Sequence, residues 1–258
     1  MANRPNVLLI CTDHWPGQMI GALGHPVVRT PTLDQIAANG VSFSNAYATT
    51  PICVPARREL MTGTFSPTHG DRFQGSLPMP DLPTVAQAFR DAGYQAYAVG
   101  KLHVNPARDR IGFDDVVLHE EGHNKDSSTA DVDDYEIWLG EQLNAAMKKP
   151  HLYQGVEYRP WPLPEYTHPT NWVAREMAKQ IVRRDPKRPA FWYMSFTAPH
   201  PLFQPLEGYM NIYRNTHIPM PFVGDWAKDF DQLPYALKTR PKQHRDVAAS
   251  EDMTRGSR

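Results

Sequence analysis

Residues 6–12, NVLLICT, form an apolar run rich in β-formers that ends at the polar Asp13. An uninterrupted run of this length predicts a buried strand of the parallel type, with an acid at its carboxyl end. Residues 30–40, TPTLDQIAANG, change the period. Thr30 stands where an N-cap belongs, Pro31 in the first turn and Gly40 where a helix stops. Residues 41–48, VSFSNAYA, alternate and predict a second strand. Residues 83–101, PTVAQAFRDAGYQAYAVGK, repeat the scheme: a helix, a stopping glycine at Gly93, then a strand over 94–99. In 171–184, Trp172, Val173, Met177, Ile181 and Val182 recur near helical spacing. Residues 190–200, AFWYMSFTAPH, predict another buried strand that runs into a polar loop.

Helix and strand patterns alternate, and polar residues gather after the strand ends. The predicted class is therefore α/β, with a largely parallel central sheet flanked by helices and ligands bound at the carboxyl ends of its strands. No internal repeat or low-complexity segment interrupts the pattern. The 258 residues suffice for one large domain with a sizeable core. With 41% hydrophobic and 21% charged residues the chain is of the ordered, globular class. Its net charge of −1 gives no general attraction to nucleic acid or to an anionic membrane, so neither is expected as a partner. Any anion must be held by a local cluster of charge.

Proline is abundant, 25 residues, where about 5% is usual. Much of it follows Lys149, threaded with Trp, Tyr and Phe, which predicts long loops packed against the body of the protein. The two cysteines, Cys11 and Cys53, make no disulfide framework and no C-x-x-C motif. The N-terminal apolar run is too short for a signal peptide, and no stretch has the length of a membrane span. The expectation is a cytoplasmic chain, or one without its targeting segment.

Candidate chemistry collects after the predicted strands. Asp13 and His14 follow the first. Cys53, Arg57 and Arg58 follow the second, Lys101 and His103 the third, and His200 the last. In a parallel sheet these groups share one edge. A hard acid ligand, a sulfur nucleophile and several cations suit a tetrahedral anion held with a divalent metal. Each residue also has a plain reading: Asp13 as a turn residue, Cys53 as an inert buried thiol, Lys101 and His103 as solvated, His200 as a loop histidine. Two thiolate mechanisms fit poorly. A phosphate loop needs C-x5-R, whereas the arginines here fall at C-x3-R and C-x4-R. A papain-like site lacks its usual small flanking residues.

The stretch CVPARRELMTG, residues 53–63, resembles the signature of the sulfatase family: Cys, any residue, Pro, usually Ser, Arg, then a helix ending in Thr-Gly. PNVLLICTDH resembles the family's opening strand and metal-binding acid. AVGKLHV resembles its Gly-Lys-x-His segment, and FTAPHPLFQP its later histidine loop. The matching segments keep the family's order from residue 5 to about 205. The resemblance implies an alkaline-phosphatase-like fold. It also implies that a separate formylglycine-generating enzyme oxidises Cys53 to formylglycine, with Cys53, Pro55 and Arg57 as the recognition element. One hydroxyl of the hydrated aldehyde, activated by a divalent cation, would attack the sulfur of a sulfate ester. The second hydroxyl would then expel the sulfate.

By position, the resemblance makes Asp13 and the modified Cys53 metal ligands. Arg57 would hold the formylglycine hydrate, Lys101 and His103 the anion or its leaving oxygen, and His200 would be a further donor or proton carrier. The expected cofactor is Ca²⁺, with Mn²⁺ or Mg²⁺ as alternatives. The expected partner is a small sulfate ester, with a homo-oligomer left open.

Two departures shape the expectation. His14 stands where many sulfatases carry a second acid; relatives that hydrolyse phosphonate monoesters or phosphodiesters, and some sulfatases, also have a non-acid there, so the substrate is blurred and such a hydrolase is the alternative function. The family's later Asp-Asn or Asp-His pair is absent: none of Asp225, Asp229, Asp231, Asp246 and Asp252 has the right neighbours. Residues 1–258 are therefore expected to be the N-terminal part of a single catalytic domain, and an inactive, truncated module is the third reading.

Overall fold

The computed structural model describes residues 4–73, 75, 77–120, 133–143, 159–219 and 225. Four strands, β1 (Val7–Cys11), β2 (Gln95–Gly100), β3 (Asp115–Leu118) and β4 (Ala190–Ser195), make one sheet in the order β1-β4-β2-β3. Every pairing is parallel. The register aligns the strand ends: Ser195 sits between Cys11 and Gly100, and Gly100 in turn faces Leu118. Whatever follows those four residues is delivered to one edge.

Among the described residues seven α-helices accompany the sheet: α1 (Pro31–Ala38), α2 (Cys53–Thr62), α3 (Ser66–His69), α4 (Val85–Asp91), α5 (Asp134–Gln142), α6 (Pro169–Arg183) and α7 (Glu207–Tyr213). The core has two parts, one on each face of the sheet. Phe191 and Tyr193 of β4 join Met61 of α2 and Ala86 of α4 on one face. Trp192 joins Tyr135 and Leu139 of α5 and Trp172, Val173 and Met177 of α6 on the other. Side chains alternate across a strand, so a strand covered on both faces must be apolar throughout. That accounts for AFWYM. Phe191, Trp192 and Tyr193, the large buried ones, each contribute about 2 kcal/mol or more by leaving water.

The helix expectations hold with small adjustments. Helix α4 is capped by Thr84, whose hydroxyl accepts the Gln87 N–H at 3.1 Å, and Gly93 beyond it has φ 87°. Thr30 stands before α1 but caps no helical N–H. Its hydroxyl accepts the Gly21 N–H and donates to Asp34. Asn39, rather than Gly40, closes α1, with its side-chain amide donating to the Gln35 carbonyl. Trp161, from the proline- and aromatic-rich stretch, packs in the second core as expected; residues 150–158 lie outside the described residues.

Two strand expectations need correction. β1 is not buried on both faces: Val7, Leu9 and Cys11 pack inward while Leu8 and Ile10 are exposed. It is one of the two edge strands, and among the described residues nothing covers its other face. Residues 41–48 form no strand. Alternation makes a strand only where a neighbour supplies hydrogen bonds, and none is at hand among the described residues; Val41, Phe43 and Tyr47 lie exposed. Among the described residues no helix is long and apolar enough to cross a membrane.

Candidate active site

The site begins at Asp13, just past β1. Its carboxylate is buried and its two oxygens have different neighbours. Oδ2 meets Lys101 Nζ at 2.8 Å and Arg57 Nη2 at 3.4 Å. Oδ1 lies 3.6 Å from His14 Nε2 and accepts from Cys53 Sγ, also at 3.6 Å. Burial pushes the carboxyl pKa up, but the Lys101 charge and hydrogen bond, with Arg57 behind them, outweigh it and leave it at about 2. Asp13 is thus an anion at any neutral pH. His14 has φ 63°, a left-handed backbone that turns its ring back toward Cys53.

Cys53 does not follow a second strand; it opens α2 after the extended Ile52. Arg57 is one helical turn further on and so shares its face. Nη1 of this buried guanidinium donates to the Lys101 carbonyl at 2.6 Å, Ser195 Oγ at 2.8 Å and Tyr193 Oη at 3.0 Å. Arg57 therefore ties α2 to the carboxyl ends of β2 and β4 and to Asp13. Arg58 faces elsewhere. It pairs with Asp71 and donates to the carbonyls of Leu77 and Pro78. Burial, then the charge of Asp13, push the Cys53 thiol above its ordinary value, with Lys101 and Arg57 opposing. At neutral pH it is a thiol, which removes support from both thiolate mechanisms.

Lys101 is fully buried directly after β2. Gly100 makes this close approach feasible: its φ is 102°, and a Cβ there would lie 1.8 Å from the Ser195 carbonyl oxygen. The next turn is held by a residue that strand-end reading missed. Glu120 Oε1 accepts the N–H groups of Leu102 at 2.8 Å and His103 at 2.9 Å. Burial raises the Glu120 pKa, although those two amides, Arg57 and Lys101 pull the other way. Asp133 continues the chain of support by accepting the Glu120 N–H through Oδ2 and capping α5 through Oδ1. Glu120 follows β3 just as Asp13 follows β1, so recognising DVVL as a strand would have found it.

His200 lies in the turn after β4, its N–H donating to the Thr197 carbonyl at 3.0 Å. Its ring centroid is 4.5 Å from that of His14. Ligand atoms of His14, Cys53 and His200 all lie within 4.8 Å of one another. The structure thus brings Asp13, His14, Cys53, Arg57, Lys101 and His200 into one network. His103, buried with φ 58°, lies two residues beyond Lys101 on the same loop. Asp229, Asp231, Asp246 and Asp252 lie outside the described residues.

The network contains an anionic oxygen, a position able to carry an activated nucleophile, and two buried cations. An oxygen in place of Cys53 Sγ would, with Asp13 Oδ1, fit one side of the shell of a hard cation, which takes six or more oxygens.

Comparison with known proteins bears on this geometry. The sulfatase family model matches residues 5–223. An arylsulfatase of Clostridium perfringens is 34% identical over 247 residues, covering 89% of this chain and 50% of that protein. The structure of the phosphonate monoester hydrolase of Agrobacterium radiobacter superposes with a TM-score of 0.67 at 28% identity, covering 84% of this chain and 45% of that one. A structure solved with its substrate D-glucosamine-2-N,6-O-disulfate shares the fold, with a TM-score of 0.64 at 23% identity, over 85% of this chain and 39% of its own. The chain spans about half the length of the arylsulfatase it matches.

Proposed function

The chain belongs to the sulfatase family and has its alkaline-phosphatase-like fold, and from that premise we propose that it hydrolyses sulfate esters through a nucleophile made from Cys53. The observation that carries this reading is the contact of Asp13, Cys53, Arg57 and Lys101 at the carboxyl edge of the sheet. Asp13 Oδ1 and an oxygen on residue 53 would hold the divalent cation. With that cation bound, formylglycine hydrated by one water would supply one hydroxyl to displace the alcohol at sulfur and a second whose deprotonation would release sulfate and restore the aldehyde.

The chain's own residues do the rest. Lys101 and Arg57 place two positive charges beside residue 53, where they would hold the anionic sulfate and offset the charge that develops on the leaving oxygen as the ester bond breaks. Arg57 is held by the Lys101 carbonyl, Tyr193 and Ser195, so it needs no reorganisation when charge develops. Glu120 fixes the backbone that carries Lys101 and His103. His200, more open, can pass a proton to or from the departing alcohol.

Phosphonate monoesters are the second reading. The superposition on a phosphonate monoester hydrolase favours it. Both anions are tetrahedral and suit the same cations. The test uses an aryl sulfate and an aryl phosphonate monoester with the same leaving group, on protein made with the converting enzyme. Mass spectrometry of the Cys53 peptide should show formylglycine, and sulfate release should exceed phosphonate release. An unmodified thiol throughout, with hydrolysis unaffected by Cys53→Ala, overturns the mechanism; faster phosphonate release selects the second reading. Lys101→Ala should lower kcat by about 10²–10³, as loss of a positioned donor does.

A further inference from the structure

The thiol encoded at position 53 is surrounded by donors that a hard cation does not prefer. Cys53 Sγ is 3.3 Å from His14 Nε2 and 3.6 Å from Asp13 Oδ1, and His14 Nε2 is 3.6 Å from the same oxygen. In a tetrahedral site with metal–sulfur near 2.3 Å and metal–nitrogen or –oxygen near 2.0 Å, ligand atoms stand about 3.3–3.6 Å apart. The three separations are therefore edges of one tetrahedral face. His200 offers a ligand atom within 4.8 Å of those of both His14 and Cys53, near enough to close in as the fourth donor when an ion binds. The four residues come from three places: the end of β1, the start of α2 and the turn after β4.

We propose that the unconverted, thiol form of this chain binds a borderline divalent transition-metal ion of the zinc class through Cys53, His14, Asp13 and His200. Sulfur and imidazole select Zn²⁺, Co²⁺ or Ni²⁺ over Ca²⁺ and Mg²⁺, which need oxygen. Asp13 is already arranged for it. Lys101 and Arg57 occupy Oδ2, and Oδ1 is turned toward the sulfur and the imidazole. On binding, the Cys53 S–H bond breaks, its proton goes to solvent, and the sulfur electron pair forms the bond to the ion. No oxidant or reductant is needed. Replacing that sulfur by oxygen removes the soft donor, so the two states of residue 53 select two classes of cation. A metal-bound thiolate is also withheld from electrophiles.

The test uses Co²⁺ as the probe, titrated without oxygen into the 258-residue chain with Cys53 confirmed as a thiol by mass spectrometry. Tight, stoichiometric binding should appear with a sulfur-to-cobalt charge-transfer band and the visible bands of tetrahedral cobalt, and Zn²⁺ should displace it. Cys53→Ser should abolish the charge-transfer band while Cys11→Ser retains it. His14→Gln should weaken binding by about tenfold or more, the loss of one good ligand. Zn²⁺ should slow alkylation of Cys53, read by peptide mass, and leave Cys11 unaffected. A weak octahedral spectrum without the sulfur band overturns the proposal. So does a band that survives Cys53→Ser, or one indifferent to His14→Gln, with folding checked by circular dichroism. Ester hydrolysis is measured separately on converted protein, so this proposal and the functional reading can fail independently.

Discussion

Asp13 divides the site into two regions built on different terms. On its Oδ2 side lie Lys101 and Arg57, both buried, with the Arg57 guanidinium bonded to a carbonyl and two hydroxyls as well. On its Oδ1 side lie His14, whose side chain is 48% exposed, and the half-buried Cys53 and His200. The first region is made of strand ends and is part of the core. The second is carried by a turn, a helix start and a loop beside the uncovered edge strand β1. Groups that only hold an anion can be fixed in advance, because their charge does not change during a reaction. Groups that exchange protons, ligands or a covalent modification must stay reachable. On the proposed mechanism, the asymmetry separates the two tasks.

If the first region is structural as well as functional, breaking it should unfold the protein first. Arg57→Met should destabilise by about 3–5 kcal/mol, since it strips Asp13 of one buried countercharge and leaves Tyr193, Ser195 and the Lys101 carbonyl short of a donor. Urea unfolding followed by tryptophan fluorescence measures this. A loss within 1 kcal/mol, on the order of a surface pair, would remove the distinction between the regions.

The next effect is a dependence on acid. The folded pKa of Asp13 is about 2 against an ordinary 3.8. A depressed folded value means that the contribution is present above the ordinary value and is lost as pH falls through the folded one. In metal-free protein it should amount to about 2 kcal/mol above pH 4 and fall to about 0.4 kcal/mol at pH 2, vanishing only below that. Comparing unfolding of the wild type with that of Asp13→Asn from pH 5 to pH 2 isolates it. The gap should close as the pH drops; a constant gap would mean that Asp13 is held by packing alone.

How much of this was legible follows from where each residue sits. The apolar run and its terminal acid revealed β1 and Asp13. The helix-to-strand switch at Gly93 revealed β2 and so Lys101. The signature around Cys53 revealed α2. Hidden were features set by tertiary partners. VSFSNAYA alternates as a strand would, but alternation carries no information about whether a neighbour exists. NVLLICT is apolar on both faces, yet one face is uncovered among the described residues. DVVL is only four residues long, too short for a periodicity argument, and Glu120 was lost with it. Tyr193 and Ser195 stand inside a strand, where a count of polar residues after strand ends does not look.

Glu120 offers a finer probe of the buried region. Glu120→Ala should cost about 1–3 kcal/mol, because it leaves the Leu102 and His103 amides buried without an acceptor. Glu120→Gln keeps an acceptor oxygen and should recover most of that loss. Amide hydrogen exchange gives a local reading: exchange at Leu102 and His103 should speed up in the alanine variant and return toward wild type in the glutamine one. If glutamine is as damaging as alanine, the charge of Glu120 matters rather than its two accepted bonds.

The smallest expected effect belongs to the open region. His14 makes its contacts from a half-exposed side chain, and neither its ring stacking on His200 nor its approach to Cys53 fills a cavity in the core. His14→Gln should therefore change stability by no more than about 0.5 kcal/mol, as surface substitutions do. Histidine is among the residues enriched in the left-handed region and glutamine is not, so any backbone strain that glutamine adds counts within that figure. The same urea experiment that exposes Arg57 can measure this. A large loss would mean that His14 anchors the loop after β1. The two regions would then differ in exposure but not in structural role, and the reachability argued for the open one would need another cause.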